Sequence, residues 1–232
     1  MNRETTNRIR FILEELVPPI LRDSGFMRFL FRCAWGKHID QLETFRKNAP
    51  FLTPKEYKDL YETHPRVQDN TDNTIDCLKA ISQIIIGETV CDVGCGTGYT
   101  ANWLSKNTQG KKKYTAVDFI IHQKDRDKYP EIYFQEAKIE NLPFPDGHFD
   151  TVICTHTLEH ILDIGGAIRE LRRVCNKRLI IVVPLEREYL FTFNPHFHFF
   201  PYPHSFLRYV PDIPEEYYLK KLGRDLIYWE NR

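Results

Sequence analysis

Three glycines at alternate positions follow a short apolar run, and this pattern constrains the fold of the chain more than any other feature. The run from Val90 to Val93 leads into Gly94, Gly96 and Gly98, and a stretch of helical composition comes next. Glycine accepts positive φ and has no Cβ, so such a backbone can turn sharply and approach a ligand closely. The pattern therefore predicts a buried strand that turns into a helix, a junction at which open α/β sheets bind nucleotide-like ligands.

The sequence after position 88 alternates between strand and helix patterns. We predict strands near 89–93, 113–118, 131–135, 149–154 and 178–183, and helices near 98–107, 121–128 and 164–175. Such alternation predicts a doubly wound, mostly parallel α/β sheet with helices on both faces and right-handed crossovers. Ligands of such a sheet bind at the carboxyl ends of its strands.

Residues 1–74 differ from the rest of the chain and are predicted to form an N-terminal helical extension. An amphipathic stripe from Ile9 to Val17 must end at Pro18-Pro19. The stretch 26–35 is rich in aromatic residues and arginine, and it either packs on the main domain, which we favour, or lies on a membrane surface. Asn73 or Thr74 is predicted to cap the helix that leads to the glycine turn.

Composition excludes several classes of protein. The 32 Lys and Arg residues equal the 32 Asp and Glu residues, so no basic surface for general nucleic-acid binding is expected. The six cysteines contain no CxxC pair, and we interpret them as reduced, small apolar residues. No apolar segment approaches the ~20 residues that span a bilayer, and the N-terminus lacks a signal-peptide core, so we expect a cytoplasmic protein.

The glycine spacing distinguishes between nucleotide-binding loops. A dinucleotide fingerprint would need a glycine where Tyr99 stands, and a P-loop would need Gly-Lys-Ser or Gly-Lys-Thr. The run Val-Cys-Asp-Val-Gly-Cys-Gly-Thr-Gly instead resembles the first motif of class I S-adenosylmethionine-dependent methyltransferases. This resemblance implies a Rossmann-like seven-stranded sheet, closed by a hairpin of 216–221 and 225–230 around Gly223. It also implies S-adenosylmethionine as cofactor and S-adenosylhomocysteine as its product.

The resemblance extends to the cofactor contacts. It implies that the glycine turn passes the methionine part of the cofactor and that Asp92 helps to anchor its amino group. Asp118 ends the second strand, 20 residues after Gly98, where a carboxylate can accept hydrogen bonds from both ribose hydroxyls. Phe119 would then stack on the adenine. The expected cofactor-binding residues are Asp92, Gly94, Cys95, Gly96, Gly98, Asp118, Phe119, Ile139 and Thr155.

One position departs from the family pattern. The segment Leu-Pro-Phe-Pro-Asp at 142–146 resembles the segment before the fourth strand of many small-molecule methyltransferases, but Lys138 stands where the family commonly has aspartate. Lysine only donates hydrogen bonds, so it cannot accept one from the adenine amino group. The backbone amide of Ile139 could still bind a ring nitrogen of the adenine, and Glu136 or Glu140 could accept from its amino group.

The segment 155–161 is where we expect chemistry. Its Leu-Glu-His-Ile resembles the family's usual Leu-Glu-His-Val, which implies that His156 lies near the methyl group of the cofactor. An imidazole titrates near neutral pH and can take the proton of a hydroxyl acceptor, so we predict that His156 is a base; the alternative is that it only orders the loop. We expect His160 to be mainly structural. The candidate substrate-binding residues are Tyr61, Arg66, His160, His196 and His198.

Two interpretations involving a metal compete with this one. The residues from His156 to His160 match the H-x-x-E-H pattern of zinc hydrolases, but they start at a strand end and not within a long helix. Methyltransferases of the terminal ribose of small RNAs use metal with a Glu-His pair and a later histidine, for which His196, His198 and His204 are available. Those enzymes have a glutamate at the position of His156. We expect no metal site.

Taken together, these features predict O-methylation of a small molecule or of a sugar- or lipid-linked metabolite by in-line displacement. Residues 1–74, as a lid, and the aromatic segment 184–211 are expected to select the acceptor, with the rings keeping water out. The alternatives are metal-assisted 2′-O-methylation of RNA ends, a protein that binds S-adenosylmethionine without catalysis, and a nucleotide-dependent oxidoreductase, which the glycine spacing disfavours.

Overall fold

One seven-stranded sheet organises the chain. The computed structural model describes residues 11–35, 45, 47–53, 55–56, 59, 70–188, 190 and 195–232. The strands are β1 (Thr89–Val93), β2 (Lys113–Asp118), β3 (Tyr133–Glu136), β4 (Phe149–Thr155), β5 (Cys175–Pro184), β6 (Tyr217–Leu222) and β7 (Asp225–Asn231). All five strands predicted in the alternating region are present, as is the closing hairpin.

The helices lie between these strands and before them. They are α1 (Pro19–Arg22), α2 (Gly25–Trp35), α3 (Ile75–Ile84), α4 (Tyr99–Asn107), α5 (Gln123–Lys128), α6 (Ile164–Val174) and α7 (Pro203–Leu207). A π-helical turn covers Ile12–Leu16, and 3-10 turns cover Ala49–Phe51 and Leu158–His160. Thr74 is the N-cap of α3, since its side chain accepts a hydrogen bond from the Cys77 amide.

The strand order creates a crevice at the carboxyl ends of two central strands. The order is β3-β2-β1-β4-β5-β7-β6, with β1, β2, β3, β4 and β5 parallel and β7 antiparallel to both of its neighbours. From β1 the chain continues to β2 on one side of the sheet, whereas from β4 it continues to β5 on the other side. The loops after β1 and β4 therefore diverge and leave a crevice between them. The predicted doubly wound, mostly parallel fold is confirmed.

Alternating side chains on the strands fill two cores, one on each face of the sheet. On β4, Val152 and Cys154 pack on one face while Ile153 packs on the other. β5 alternates in the same way and is buried almost throughout, as expected of a strand covered on both faces. All six cysteines are free; five are buried, and Cys33 is exposed.

The N-terminal extension contacts the loop that follows β5. The Arg187 amide donates to Glu14, which is 6% exposed, at 3.4 Å, and the Leu190 amide donates to Asp23 at 3.1 Å. Glu14 also pairs with Arg224 in the turn between β6 and β7. In α2, Phe31 is buried while Phe26 and Phe29 are exposed. Across the described ranges, we find no helix with the length and apolarity needed to cross a bilayer.

A buried ion pair joins α6 to the sheet and generates a test of stability. Arg172 donates two hydrogen bonds of 2.7 Å to Glu230, whose side chain is 1% exposed. Glu230→Gln should lower the free energy of unfolding by about 3 kcal/mol, since a buried guanidinium loses its counter-charge. Asp146→Asn is the control because Asp146 also pairs with an arginine but is 84% exposed, and it should cost less than about 1 kcal/mol. Equal losses in urea unfolding would contradict the assignment.

Candidate functional site

The turn between β1 and α4 is formed by glycines in left-handed conformations. Gly94, Gly96 and Gly98 have φ of +77°, +57° and +79°. A Cβ on Gly94 would lie 2.0 Å from Thr157 Oγ1, and one on Gly98 would lie 2.4 Å from Phe134 Cζ. Both the conformation and the close packing therefore exclude a side chain at these two positions.

Asp92 lies under this turn, and no basic side chain of the described part of the chain pairs with it. Its side chain is 1% exposed, and neither oxygen has a hydrogen-bond partner of standard geometry among the described residues. Burial raises the pKa of Asp92 to about 7; the charge of Asp118 adds to the rise, and the Ala101 amide acts against it. A buried carboxylate is costly unless a donor or cation joins it, so the position suits a ligand that brings an amino group.

Asp118 connects the end of β2 to the glycine turn. Its Oδ2 accepts a hydrogen bond of 2.7 Å from the Gly96 amide, and its Oδ1 accepts one of 3.3 Å from the Ile120 amide. An ionised carboxylate has about four acceptor positions, so capacity for a diol is left. Phe119, directly after it, is half-buried.

The segment after β3 brings Ile139 towards the same edge of the sheet. Ile139 is 6% exposed, and the Lys138 carbonyl accepts from the Asn141 amide at 3.1 Å in a tight turn. The Ala137 amide donates to the Asp118 carbonyl at 2.9 Å, which fixes this segment beside β2. Cys95, another predicted cofactor residue, is 8% exposed within the glycine turn.

A polar network that the sequence did not reveal surrounds Thr155. Asn73 Nδ2 donates to Thr155 Oγ1 at 2.9 Å, and Thr71 and Thr100 exchange a hydrogen bond of 3.0 Å beside it. The Thr155 hydroxyl is therefore already engaged by the segment before α3. Sequence analysis considered Asn73 only as a helix cap, since nothing local indicates a partner 82 residues away.

His156 lies at the end of β4 between two buried carboxylates. Its backbone has a φ of +51°, and its amide donates to the Val182 carbonyl at 2.9 Å. Nδ1 is 3.8 Å from Glu159 Oε1 and Nε2 is 3.7 Å from Asp225 Oδ1, with the imidazole 9% exposed. Sequence analysis did not identify Asp225, which the antiparallel pairing of β7 with Pro184 brings to this edge.

The remaining candidate histidines separate into two environments. The His160 and His196 rings lie edge to face with centroids 4.6 Å apart. Burial, together with the charge of His196, lowers the pKa of His160 to about 3. His198 instead packs against Tyr209, 4.9 Å between centroids, and burial lowers its pKa. The other two candidates, at positions 61 and 66, lie outside the described residues.

Glu159 is the most buried acid in this region. It is 1% exposed, burial raises its pKa to about 8, and the charge of His196 acts against that rise. Its backbone carbonyl accepts from the amides of Phe197 and His198 at 2.8 and 3.2 Å. The turn after β4 is thereby attached to the aromatic segment, and this turn is a 3-10 turn and not the long helix of a zinc hydrolase.

Some rings of the aromatic segment lie in the hydrophobic core, and others contact the N-terminal extension. Phe200 and Phe206 are fully buried in the main core, so they stabilise the fold. Phe197 stacks on Phe45 at 4.9 Å between centroids, which ties the N-terminal extension to this segment. Glu186 is buried in the same region and pairs with His196. Sequence analysis did not identify this residue.

The glycine turn yields a stability test with a matched control. Gly94→Ala and Gly110→Ala both place a side chain at positive φ, but a Cβ on Gly110 meets nothing within 4 Å. Both variants should lose about 1 to 2 kcal/mol from the backbone conformation. Gly94→Ala should lose roughly 2 kcal/mol more through the clash with Thr157. Urea unfolding curves of equal midpoint for the two variants would contradict this account of the turn.

Sequence comparisons find similarity to methyltransferases over part of the chain. Residues 91–183 match the model of a family described as a methyltransferase domain. A 2-phytyl-1,4-naphtoquinone methyltransferase of Trichormus variabilis is 32% identical over 96 residues, which cover 38% of this chain and 42% of that protein. A probable S-adenosylmethionine-dependent methyltransferase of Mycobacterium tuberculosis is 29% identical over 110 residues, covering 46% of this chain and 38% of that protein. The chain thus spans about two fifths of the length of these curated relatives.

A solved structure shares the fold. The crystal structure of an S-adenosylmethionine-dependent methyltransferase from Thermotoga maritima, described as a possible histamine N-methyltransferase, aligns with a TM-score of 0.53. It is 17% identical, and the alignment covers 66% of this chain and 86% of that chain. Residues 91–183 thus match a methyltransferase domain and the solved structure shares the fold, and these findings support an enzyme that uses S-adenosylmethionine as cofactor and yields S-adenosylhomocysteine.

Proposed function

We propose that this chain transfers a methyl group from S-adenosylmethionine to a hydroxyl oxygen of a small molecule or of a sugar- or lipid-linked metabolite. The observation that carries the proposal is Asp92, a buried carboxylate without a hydrogen-bond partner of standard geometry among the described residues, directly beneath the glycine turn. A ligand that brings an ammonium group to this position offsets the cost of the buried charge. Dinucleotides do not bring such a group.

The proposed cofactor contacts follow from the crevice above β1 and β2. When bound, the cofactor supplies an electrophilic methyl carbon on a sulfonium sulfur. Asp92 would hold the amino group, and Asp118, fixed by the Gly96 amide at 2.7 Å, would accept from the ribose hydroxyls. Phe119 and the Ile139 amide would contact the adenine, with Cys95 packed beneath. Thr155 would contribute through its backbone, because Asn73 engages its hydroxyl.

The catalytic contribution of the protein would be mainly positioning. In-line displacement requires the acceptor oxygen, the methyl carbon and the sulfur to be aligned, and holding two reactants in such a geometry supplies much of the rate acceleration. His156 would take the hydroxyl proton as the new bond forms. Glu159 and Asp225, each within 4 Å of one ring nitrogen, would orient the imidazole and stabilise its protonated form.

The acceptor would approach across the segment after β5 and beneath the N-terminal extension. The ion pair of Glu15 with Arg187 holds the extension against this segment, and that of Glu14 with Arg224 holds it against the turn between β6 and β7. The stacking of Phe45 on Phe197 adds an apolar contact. A surface that combines rings with a few charges favours an acceptor with an apolar portion and a hydroxyl. The quinone methyltransferase among the relatives acts on a ring system with a lipid tail, as its name states.

Two other functions are separable by experiment. A protein that binds S-adenosylmethionine without catalysis would bind the cofactor and methylate no acceptor. Metal-assisted 2′-O-methylation of RNA ends is favoured by one observation, the proximity of Glu159 to His160 and His196. It is disfavoured by the equal numbers of basic and acidic residues. Methyl transfer from labelled S-adenosylmethionine to hydroxylated quinols, to glycans or to RNA 3′ ends distinguishes these cases.

Cofactor binding should depend on pH through Asp92. The pKa of this carboxyl is raised to about 7, while an ammonium ligand requires its ionised form, so binding must displace a proton below that pH. The affinity for S-adenosylhomocysteine should therefore rise with pH, by about tenfold between pH 6 and 7.5. Isothermal titration calorimetry measures both the affinity and the proton release.

A variant isolates the contribution of this carboxyl. Asp92→Asn should weaken binding by roughly 10- to 100-fold at pH 8, because it removes a charge-assisted hydrogen bond, and it should abolish the pH dependence. NAD should not bind to either protein. Binding of NAD in place of S-adenosylhomocysteine, or an unchanged pH dependence in Asp92→Asn, would refute the cofactor assignment.

The assignment of His156 as a base predicts a change in the pH profile. His156→Gln should lower kcat by roughly 100-fold or more with a hydroxyl acceptor, and the acidic limb of the kcat profile should disappear. The affinity for S-adenosylhomocysteine should stay within about threefold of the original, which would show that the site is still folded. If kcat falls while the shape of the profile persists, His156 acts by ordering the loop and the base is another group.

A further inference from the structure

We propose that Glu159, His160 and His196 form a binding site for a divalent transition metal ion at the carboxyl end of β4. One potential ligand atom from each of the three residues lies within 4.8 Å of the other two. Tetrahedral ligand atoms about 2.1 Å from an ion lie roughly 3.4 Å from one another, so binding requires these atoms to close by at most about 1.4 Å. This inference rests on the cluster itself and does not depend on methyl transfer.

His160 is oriented as metal-binding histidines commonly are. Its Nδ1 lies 3.0 Å from the Pro195 carbonyl oxygen. A carbonyl only accepts, so Nδ1 carries the proton and Nε2 presents its lone pair. Metal-bound histidines characteristically donate the other ring nitrogen to a carbonyl or a carboxylate, which fixes both the tautomer and the ring orientation.

His196 has the carboxylate version of the same arrangement. Its Nδ1 pairs with Glu186, and both side chains are more than nine-tenths buried. An ionised carboxylate accepts a proton from Nδ1 and makes Nε2 the more basic ligand. The two rings, whose centroids are 4.6 Å apart, come from segments separated by the whole of α6 and β5.

Glu159 supplies the anionic ligand. It is 1% exposed, and its Oε2 has no hydrogen-bond partner among the described residues. A carboxylate removed from water in this way is unfavourable alone and becomes favourable beside a cation. The amides of Phe197 and His198 fix the Glu159 backbone at 2.8 and 3.2 Å, which keeps the carboxylate next to His196.

The ligand set selects the kind of ion. Two imidazoles and one carboxylate suit zinc, cobalt, iron and manganese, whereas magnesium and calcium prefer all-oxygen sites. Three protein ligands leave at least one coordination position open, as in catalytic sites and not in closed structural ones. The sequence-based expectation was that no metal site is present; it treated His160 as mainly structural and kept a metal bound by the Glu-His pair and a later histidine only as an alternative, with His196, His198 and His204 as equal candidates.

Cobalt titration of the chelator-treated full-length protein tests the site. We expect one equivalent of Co²⁺ to bind and to produce visible d–d absorption without the near-ultraviolet charge-transfer band of thiolate ligands. Zn²⁺ should remove the absorption, and Mg²⁺ should not. Bound metal should also raise the thermal unfolding temperature, since it joins the turn after β4 to the aromatic segment.

Three variants make the result decisive. Glu159→Gln preserves the shape of the buried side chain and removes its ability to become an anionic ligand, so it should fold, and it should bind Co²⁺ at least tenfold more weakly. His196→Gln should do the same, whereas His148→Gln, at an exposed histidine near the opposite end of β4, should bind normally. Circular dichroism without metal verifies folding. An absence of d–d absorption in the unsubstituted protein, or equal Co²⁺ affinity in Glu159→Gln and His148→Gln, would overturn the proposal.

Discussion

The close packing of the glycine turn against its neighbours is the constraint on which the site depends. Thr157 and Phe134 occupy the space that a Cβ on Gly94 or Gly98 would need, so the turn, the end of β4 and the end of β3 hold one another in place. The Gly96 amide extends this connection to Asp118 at the end of β2. Four parallel strand ends thereby become one rigid edge, and the proposed cofactor contacts are consequences of that edge.

Buried charge is concentrated at this same edge. Asp92, Glu159, Glu186 and Asp225 are each at most 5% exposed, although water stabilises a carboxylate far better than a protein interior does. Elsewhere such a charge is neutralised inside the protein, as Arg172 neutralises Glu230. Among the described residues, no arginine or lysine pairs with Asp92 or Glu159, and buried carboxyls with raised pKa values mark functional sites more often than structural ones. An ammonium ligand at Asp92 and a metal ion at Glu159 would each supply the missing positive charge.

The aromatic segment after β5 contributes both to the hydrophobic core and to contacts with the turn after β4. Phe200 and Phe206 are fully buried, so part of the segment is core and cannot contact an acceptor. Pro195, Phe197 and His198 contact the turn after β4 through hydrogen bonds to His160 and Glu159, which brings His196 to its position. The N-terminal extension then packs on the outside of this loop. Under the proposed function, acceptor selectivity would depend on three segments that are far apart in the chain.

The sequence by itself determined the strands, the order of their appearance and the residues at their ends, because alternating burial and glycine conformations are local properties. For that reason Asp92 and Asp118 could be placed at the carboxyl ends of β1 and β2, and Gly94 and Gly98 in the turn after β1. Partnerships across long separations were decided only by the tertiary structure: Asn73 with Thr155, His156 between Glu159 and Asp225, and His196 beside His160. Nothing in a residue's neighbours along the chain records such contacts, since they arise from sheet order and from the packing of loops at the strand ends.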